Sequence, residues 1–182
     1  MELSIRLTGD GVTLRPFQLE DAAPLYAAVR ESLPELKPWM NWAHDAYSQN
    51  GVEDFIKITR ARWEERTLFA FAITSGDELL GGCTLSGLNP VNRFCNLGYW
   101  VRSSQHGHGF AGRAAKLAAR FGFEHAGLVR AEIVIAQGNT RSMRVAEKIG
   151  AHYEGKLLNR MVVGESIYDA HMYSLIPMDF GL

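Results

Sequence analysis

The stretch Ser104-Gln105-His106-Gly107-His108-Gly109-Phe110-Ala111-Gly112 stands between an apolar, strand-like run and a long alanine-rich helical pattern. Few local sequences restrict a fold as strongly. Glycines at 107, 109 and 112 free the backbone of Cβ atoms, so a ligand can approach the main chain closely. The first N–H groups of the helix that follows lack acceptors inside the helix and carry the positive end of its dipole. Strand, glycine-rich turn and helix N-terminus in that order make a site for an anionic group, a phosphate above all.

Gly107, Gly109 and Gly112 also spell G-x-G-x-x-G, the dinucleotide-binding fingerprint. That fingerprint normally opens its domain and is followed, about twenty residues on, by an acidic residue at the end of the next strand. Glu132 has the spacing but lies near the start of the run Arg130–Ala136, and residues 1 to 103, with helices and strands of their own, precede the turn. A structural glycine turn and a nicotinamide or flavin site are the alternatives at this point.

The segment Asn139-Thr140-Arg141-Ser142-Met143-Arg144-Val145-Ala146-Glu147-Lys148-Ile149-Gly150 follows the next strand and reads as a short capped helix. Asn139 suits the N-cap, Val145, Ala146 and Ile149 form an apolar face, and Gly150 supplies the stop. The rest of the chain predicts a first strand over Val12–Pro16 and a helix opened by Asp21 with Ala22, Leu25, Tyr26 and Val29 on one stripe. A second helix carries Val52, Phe55, Ile56, Thr59 and Trp63 on one side. Strands at Phe69–Thr74 and Leu79–Ser86 are joined by Ser75-Gly76-Asp77, a hairpin sequence. A fourth strand is expected at Cys95–Val101, a helix at Phe110–Ala126 burying Ala111, Ala115, Ala118 and Gly122, then a strand at Arg130–Ala136. Strands at His152–Met161 and Ser166–Ile176 close the chain around Val163-Gly164-Glu165. The alternation gives the α/β class, a mixed sheet of about seven strands with about four helices on its two faces.

With 182 residues, 47% of them hydrophobic, the chain falls in the usual range of one domain spanning 1–182. A net charge of −1 provides no long-range field to draw the protein onto nucleic acid or an anionic membrane. Met1-Glu2-Leu3-Ser4-Ile5-Arg6 lacks the pattern of a signal peptide, and no apolar run is long enough for a bilayer, so a cytoplasmic protein is expected. Cys83 and Cys95 have no metal-ligand spacing and read as reduced core thiols. His106 and His108 alternate, yet no nearby Cys, Asp or Glu cluster completes a metal site.

Taken in order, Asn96-Leu-Gly-Tyr-Trp-Val101, the turn His106–Ala111, the next strand, and Asn139-x-x-Ser142 with Glu147-Lys148-Ile149-Gly150 resemble the GNAT N-acetyltransferases, closest to their RimJ/RimL-like branch, which acetylates N-terminal α-amines of ribosomal proteins. Leu14-Arg15-Pro16, Pro38-Trp39-Met40-Asn41-Trp42 and His171-Met-Tyr-Ser-Leu175 extend the likeness over most of the chain. The resemblance implies a strongly twisted sheet whose fourth and fifth predicted strands splay apart, and often a homodimer. It implies acetyl-coenzyme A as co-substrate and no metal. The pyrophosphate would lie on His106, Gly107, His108, Gly109, Phe110, Ala111 and Gly112, and the pantetheine arm along Tyr99, Trp100 and Val101. Asn139 would hold that arm, Ser142 would donate a proton to the sulfur, and Trp39 and Trp42 would wall the acceptor pocket. His106 stands where the family's turn usually begins with Arg or Gln, and an imidazole lacks the forked geometry of arginine.

Ser142 also has an ordinary reading as a first-turn helix serine, and Trp39 and Trp42 as aromatic anchors of a loop. No acidic pair marks a general base, and the carboxylate many relatives carry before Gly-Tyr on the fourth strand is Asn96 here. His171 and Asp169 share a strand face and are further candidates near an acceptor. An α-amine, with a solution pKa near 8 against about 10.4 for lysine, tolerates a weak base far better. The expected reaction is therefore acetylation of a primary amine, an N-terminal α-amine first, with aminoacyl compounds, polyamines and aminoglycosides as alternatives. Binding of acyl-coenzyme A without turnover is the reading from another class.

Overall fold

The computed structural model describes residues 3–182; Met1 and Glu2, the start of the stretch expected not to be a signal peptide, lie outside the described residues. In chain order come β1 (Leu7–Gly9), β2 (Val12–Pro16), α1 (Ala22–Leu36), α2 (Gln49–Glu64), β3 (Phe69–Ser75), β4 (Glu78–Asn89) and β5 (Phe94–Val101). After them stand α3 (Phe110–His125), β6 (Arg130–Ala136), α4 (Thr140–Lys148), β7 (His152–Val163) and β8 (Ser166–Leu175). One sheet of eight strands, ordered β1-β2-β3-β4-β5-β6-β8-β7, carries the fold. Every neighbouring pair is antiparallel except β5 and β6.

The sequence predicted about seven strands, and the structure corrects this to eight. The strand missed is β1, only three residues long, joined to β2 by Asp10-Gly11 with φ of 50° and 77°. Positive φ at both central residues is the type I′ hairpin geometry that Asp-Gly favours. The turn signal was present, but three residues are too few to show an alternation.

β3 explains how the helices divide between the faces. In Phe69-Ala-Phe-Ala-Ile-Thr-Ser75, the large side chains Phe69, Phe71 and Ile73 join a core with Trp63, Phe121 and the alanines of α3, whereas Ala70 and Ala72 face α1 and α2. Trp63 meets Phe69, Phe71 and Phe121 at centroid distances of 5.1, 4.9 and 5.7 Å. The helix face of α3 is broader than the predicted stripe: Ala114, Ala115, Ala118, Ala119, Phe121 and Gly122 are buried, while Ala111 is only half-buried. A Cβ on Gly122 would come within 3.1 Å of both Leu85 and Leu128, so that glycine sets how near the helix lies to β4.

The start of α1 is tied to β2 by charge. Arg15 donates two hydrogen bonds, of 2.6 and 2.7 Å, to the buried carboxylate of Asp21, which also accepts from Gln18 N at 2.8 Å. This forked pairing lifts the Arg15 pKa above its ordinary value.

β4 and β5 approach closely at Gly81, where a Cβ would fall 2.1 Å from the Trp100 carbonyl oxygen. Backbone cannot yield as a side chain can. Gly81→Ala is therefore expected to lower unfolding stability by about 2 kcal/mol, measured as a fall in urea midpoint at unchanged m-value.

Candidate active site

β5 and β6 pair only at Phe94↔Arg130, Cys95↔Ala131 and Asn96↔Glu132. Beyond Asn96 they diverge, although β5 stays paired with β4 as far as Val101 and β6 with β8 as far as Ala136. A cavity of about 160 Å³ opens in the gap, lined by Leu97, Gly98, Tyr99, Ile135, Asn139 and Ser142 among others. A second cavity, of about 440 Å³, lies on the side of α1 and α2 and includes Phe17, Trp42, His44, Tyr47, Phe55 and Trp100 in its walls. Met40, Gly98 and Tyr99 belong to both.

From Val101 the chain passes through a 3₁₀ turn, Ser103–Gln105, into α3. Gly107 and Gly109 have φ of 84° and 77°, and a Cβ on either would meet nothing within 4 Å. These two glycines serve backbone conformation and leave open space above the turn. Gly112 has another job, because its Cβ would come 2.9 Å from Ile149 Cγ2 and so hold α4 away from α3. The first bond inside α3 runs from Arg113 N to Gly109 O at 3.2 Å. The N–H groups of Phe110, Ala111 and Gly112 accordingly lack helical acceptors.

The turn is braced from several directions. Glu31 on α1 accepts from Ser104 N at 2.8 Å and from two nitrogens of Arg102, and Ser32 Oγ accepts from Ser103 N at 2.9 Å. Arg102 and the Ser104 amide hold the Glu31 carboxyl down at about 2, from an ordinary 4.5. Arg113 donates to His108 O and to Asp10 O, both at 2.6 Å, joining the turn to the β1–β2 hairpin.

His106 uses both ring nitrogens within the protein. Its Nε2 lies 2.9 Å from Val101 O, so that nitrogen donates, and its Nδ1 accepts from Arg141 at 3.1 Å. Arg141, on the first turn of α4, thereby brings a forked cation beside a turn that lacks one of its own. Nothing in the residues around His106 pointed to that partner, which stands 35 positions away.

Asn139 caps α4, its Oδ1 accepting from Ser142 N at 3.2 Å, which leaves its amide Nδ2 for other partners. Ser142 Oγ donates to the Tyr99 hydroxyl at 3.2 Å, and that hydroxyl donates to Ser142 O at 3.2 Å. Burial pushes the Tyr99 phenol up to about 12, so it keeps its proton at neutral pH. Trp39 and Trp42 are separated: Trp39 lines the smaller cavity and Trp42 the larger. Between them Asn41 donates to Val162 O at 2.8 Å and accepts from Gly164 N at 2.7 Å, pinning this loop to the tip of the β7–β8 hairpin.

Asp169 is bonded to Lys156 and to Asn159 N, His171 to Tyr153, and neither lines either cavity. Cys83 and Cys95 are free and buried, and burial drives both thiols upward, Cys95 to about 12. Among the described residues no group of three or more His, Cys, Asp or Glu could hold a metal ion, and no helix is long and apolar enough to cross a membrane.

The family description "Acetyltransferase (GNAT) domain" matches residues 12–152. The chain belongs to the GNAT acetyltransferases. YdaF of Bacillus subtilis is 27% identical over 170 residues, covering 93% of each chain. The ribosomal-protein-serine acetyltransferase of Escherichia coli is 24% identical over 153 residues, covering 84% of this chain and 86% of its own. Among solved structures, RimL, the ribosomal L7/L12 α-N-protein acetyltransferase in complex with coenzyme A, superposes with a TM-score of 0.87 at 18% identity, over 94% of this chain and 98% of that one.

This GNAT enzyme is an acetyl-coenzyme A-dependent acetyltransferase, and a nicotinamide reading of its glycines falls away. Glu132, the residue with the dinucleotide spacing, is held by Arg130 at 2.9 Å beside the paired end of β5 and β6. The N–H groups at the start of α3, which lack helical acceptors, suit a pyrophosphate, and the narrow gap between β5 and β6 suits an amide-bearing arm.

Gly109→Val should weaken acetyl-coenzyme A binding at least tenfold in calorimetric titration, because a β-branched residue resists a φ of 77°. Gly112→Ala should act through its collision with Ile149 and lower the melting temperature. Glu31 has a folded pKa below its ordinary one, so its contribution to stability is complete above pH 4.5 and lost as the pH falls towards 2. Glu31→Gln should therefore be less stable than the parent at neutral pH, and the difference in urea midpoints should shrink on acidification through that window.

Proposed function

We propose that this acetyltransferase modifies an α-amine, the N-terminus of a protein in the first instance. The observation that carries the reading is that, among the described residues, no carboxylate lines the larger cavity, the one that adjoins the cleft at Gly98 and Tyr99. A lysine or polyamine acceptor, with a solution pKa near 10, needs a strong base and anionic partners. An α-amine, with a solution pKa near 8, is free in appreciable amount at neutral pH. The kinship with a ribosomal-protein-serine acetyltransferase supports the same class of acceptor.

Acetyl-coenzyme A supplies the acetyl group as an activated thioester. The transfer forms an amide C–N bond and breaks the C–S bond, with one proton leaving the amine and one taken up by the departing thiol. The main chain of β5 beyond Asn96, unpaired on its β6 side, offers N–H groups to polarise the carbonyl. Ser142 donates the proton at sulfur, and Tyr99, protonated and in contact with it, fixes its hydroxyl and replenishes that proton. His44, the only imidazole among the described residues that line the larger cavity, receives the proton from the amine, directly or through water.

The test is release of free thiol with paired peptides: one with an open N-terminus and no lysine, the other Nα-acetylated and carrying lysine. Turnover of the first alone is expected, and turnover of the second alone would overturn the proposal. Ser142→Ala should lower kcat by about 10²-fold with little change in acetyl-coenzyme A affinity. An unchanged kcat would leave Ser142 as a residue of helix architecture only.

A further inference from the structure

We propose that the larger cavity selects acceptors whose amine-bearing carbon carries a bulky, uncharged, apolar side chain, aromatic above all. The inference rests on the α-amine reading and specifies it.

The cavity of about 440 Å³ is walled chiefly by Phe17, Leu25, Trp42, Tyr47, Phe55 and Trp100, and among the described residues no aspartate, glutamate, lysine or arginine lines it. Its rings are already packed on one another. Phe17 and Phe55 meet edge to face at 5.5 Å, Trp42 and Trp100 lie 5.8 Å apart, and Tyr47 stacks on Tyr26 at 6.2 Å. Walls held this way are formed before a ligand arrives, so a ligand is not charged the cost of ordering them. Trp42 and Phe55 nevertheless remain 40% and 39% exposed, which leaves apolar surface at the mouth for an acceptor to cover.

The floor keeps the same character. Gly82 and Gly98 contribute no side chain there, and a Cβ on Gly82 would reach within 3.0 Å of Trp100 Nε1 and 3.5 Å of Phe17 Cζ. A methyl group there would press on the Trp100 indole and touch the Phe17 ring, so the glycine preserves room beside them. A serine or alanine side chain would leave most of this space unfilled. A charged one would lose water and meet no carboxylate, lysine or arginine among the described lining residues. A benzyl or isobutyl group fills it with apolar contact, and a backbone emerging past Gly98 and Tyr99 places its amine at the edge of the cleft that holds Asn139 and Ser142.

The experiment measures kcat/KM with tetrapeptides Xaa-Gly-Gly-Gly, Xaa being Phe, Leu, Ala, Ser, Asp or Lys, together with phenylalaninamide, spermidine and an Nα-acetylated lysine peptide. Phe and Leu should exceed Ser and Ala at least tenfold, with Asp and Lys lowest. Phe55→Glu, checked by thermal melting, should narrow the gap between the Phe and Lys peptides; with a misfolded variant the wild-type ranking alone decides. A Phe peptide faster than phenylalaninamide supports the proposal with a protein N-terminus as acceptor, and equal rates support it with a free aminoacyl compound. Ser or Ala at or above Phe overturns it while leaving the α-amine reading standing. Turnover of spermidine or the blocked lysine peptide alone overturns both.

Discussion

The active site depends on a sheet that fails to close. β6 is committed to β8 along its length, and β5 to β4 up to Val101, so neither strand can bend to meet the other once they part after Asn96. What is left between them is a row of main-chain donors and acceptors without strand partners, set in an apolar surround of Leu97, Ile133 and Ile135. Backbone groups in such a place demand hydrogen bonds. A ligand with amides spaced along a flexible arm satisfies the demand as a strand would.

Charge is arranged around this cleft with little from the cleft itself. The turn before α3 contains no lysine or arginine between Ser103 and Ala111, yet guanidinium groups reach it from both sides, Arg113 from within α3 and Arg141 from α4. Arg102 is spent differently, neutralised by Glu31 and Glu78 and used to fasten the stem of the turn to α1. His106 acts as a connector, taking a proton donor from α4 on one side and returning a hydrogen bond to β5 on the other.

The fold was largely readable in the sequence because its signals are local. Asp-Gly and Gly-Asp turns, the alternation of phenylalanine and alanine in β3 and the capped Asn139 helix are each legible within a dozen residues. The family resemblance supplied the splay. Apart from the three-residue β1, what escaped was long-range. Glu31 reaching Ser104, Arg141 reaching His106 and Asn41 reaching Val162 and Gly164 join residues 35 to 123 positions apart, and no spacing rule encodes them. The glycines were only partly read. All three at the turn appeared equivalent on paper, but Gly107 and Gly109 serve left-handed backbone whereas Gly112 serves helix packing. His44 gave no sign either, since its place in the larger cavity depends on how the loop after α1 folds back.

Met40 gives the two chambers a common partition, and its thioether is the most deformable side chain available for that position. A partition that swings towards one chamber enlarges the other. Whatever effect a ligand on one side has on a ligand on the other is, by thermodynamic reciprocity, the same factor in both directions.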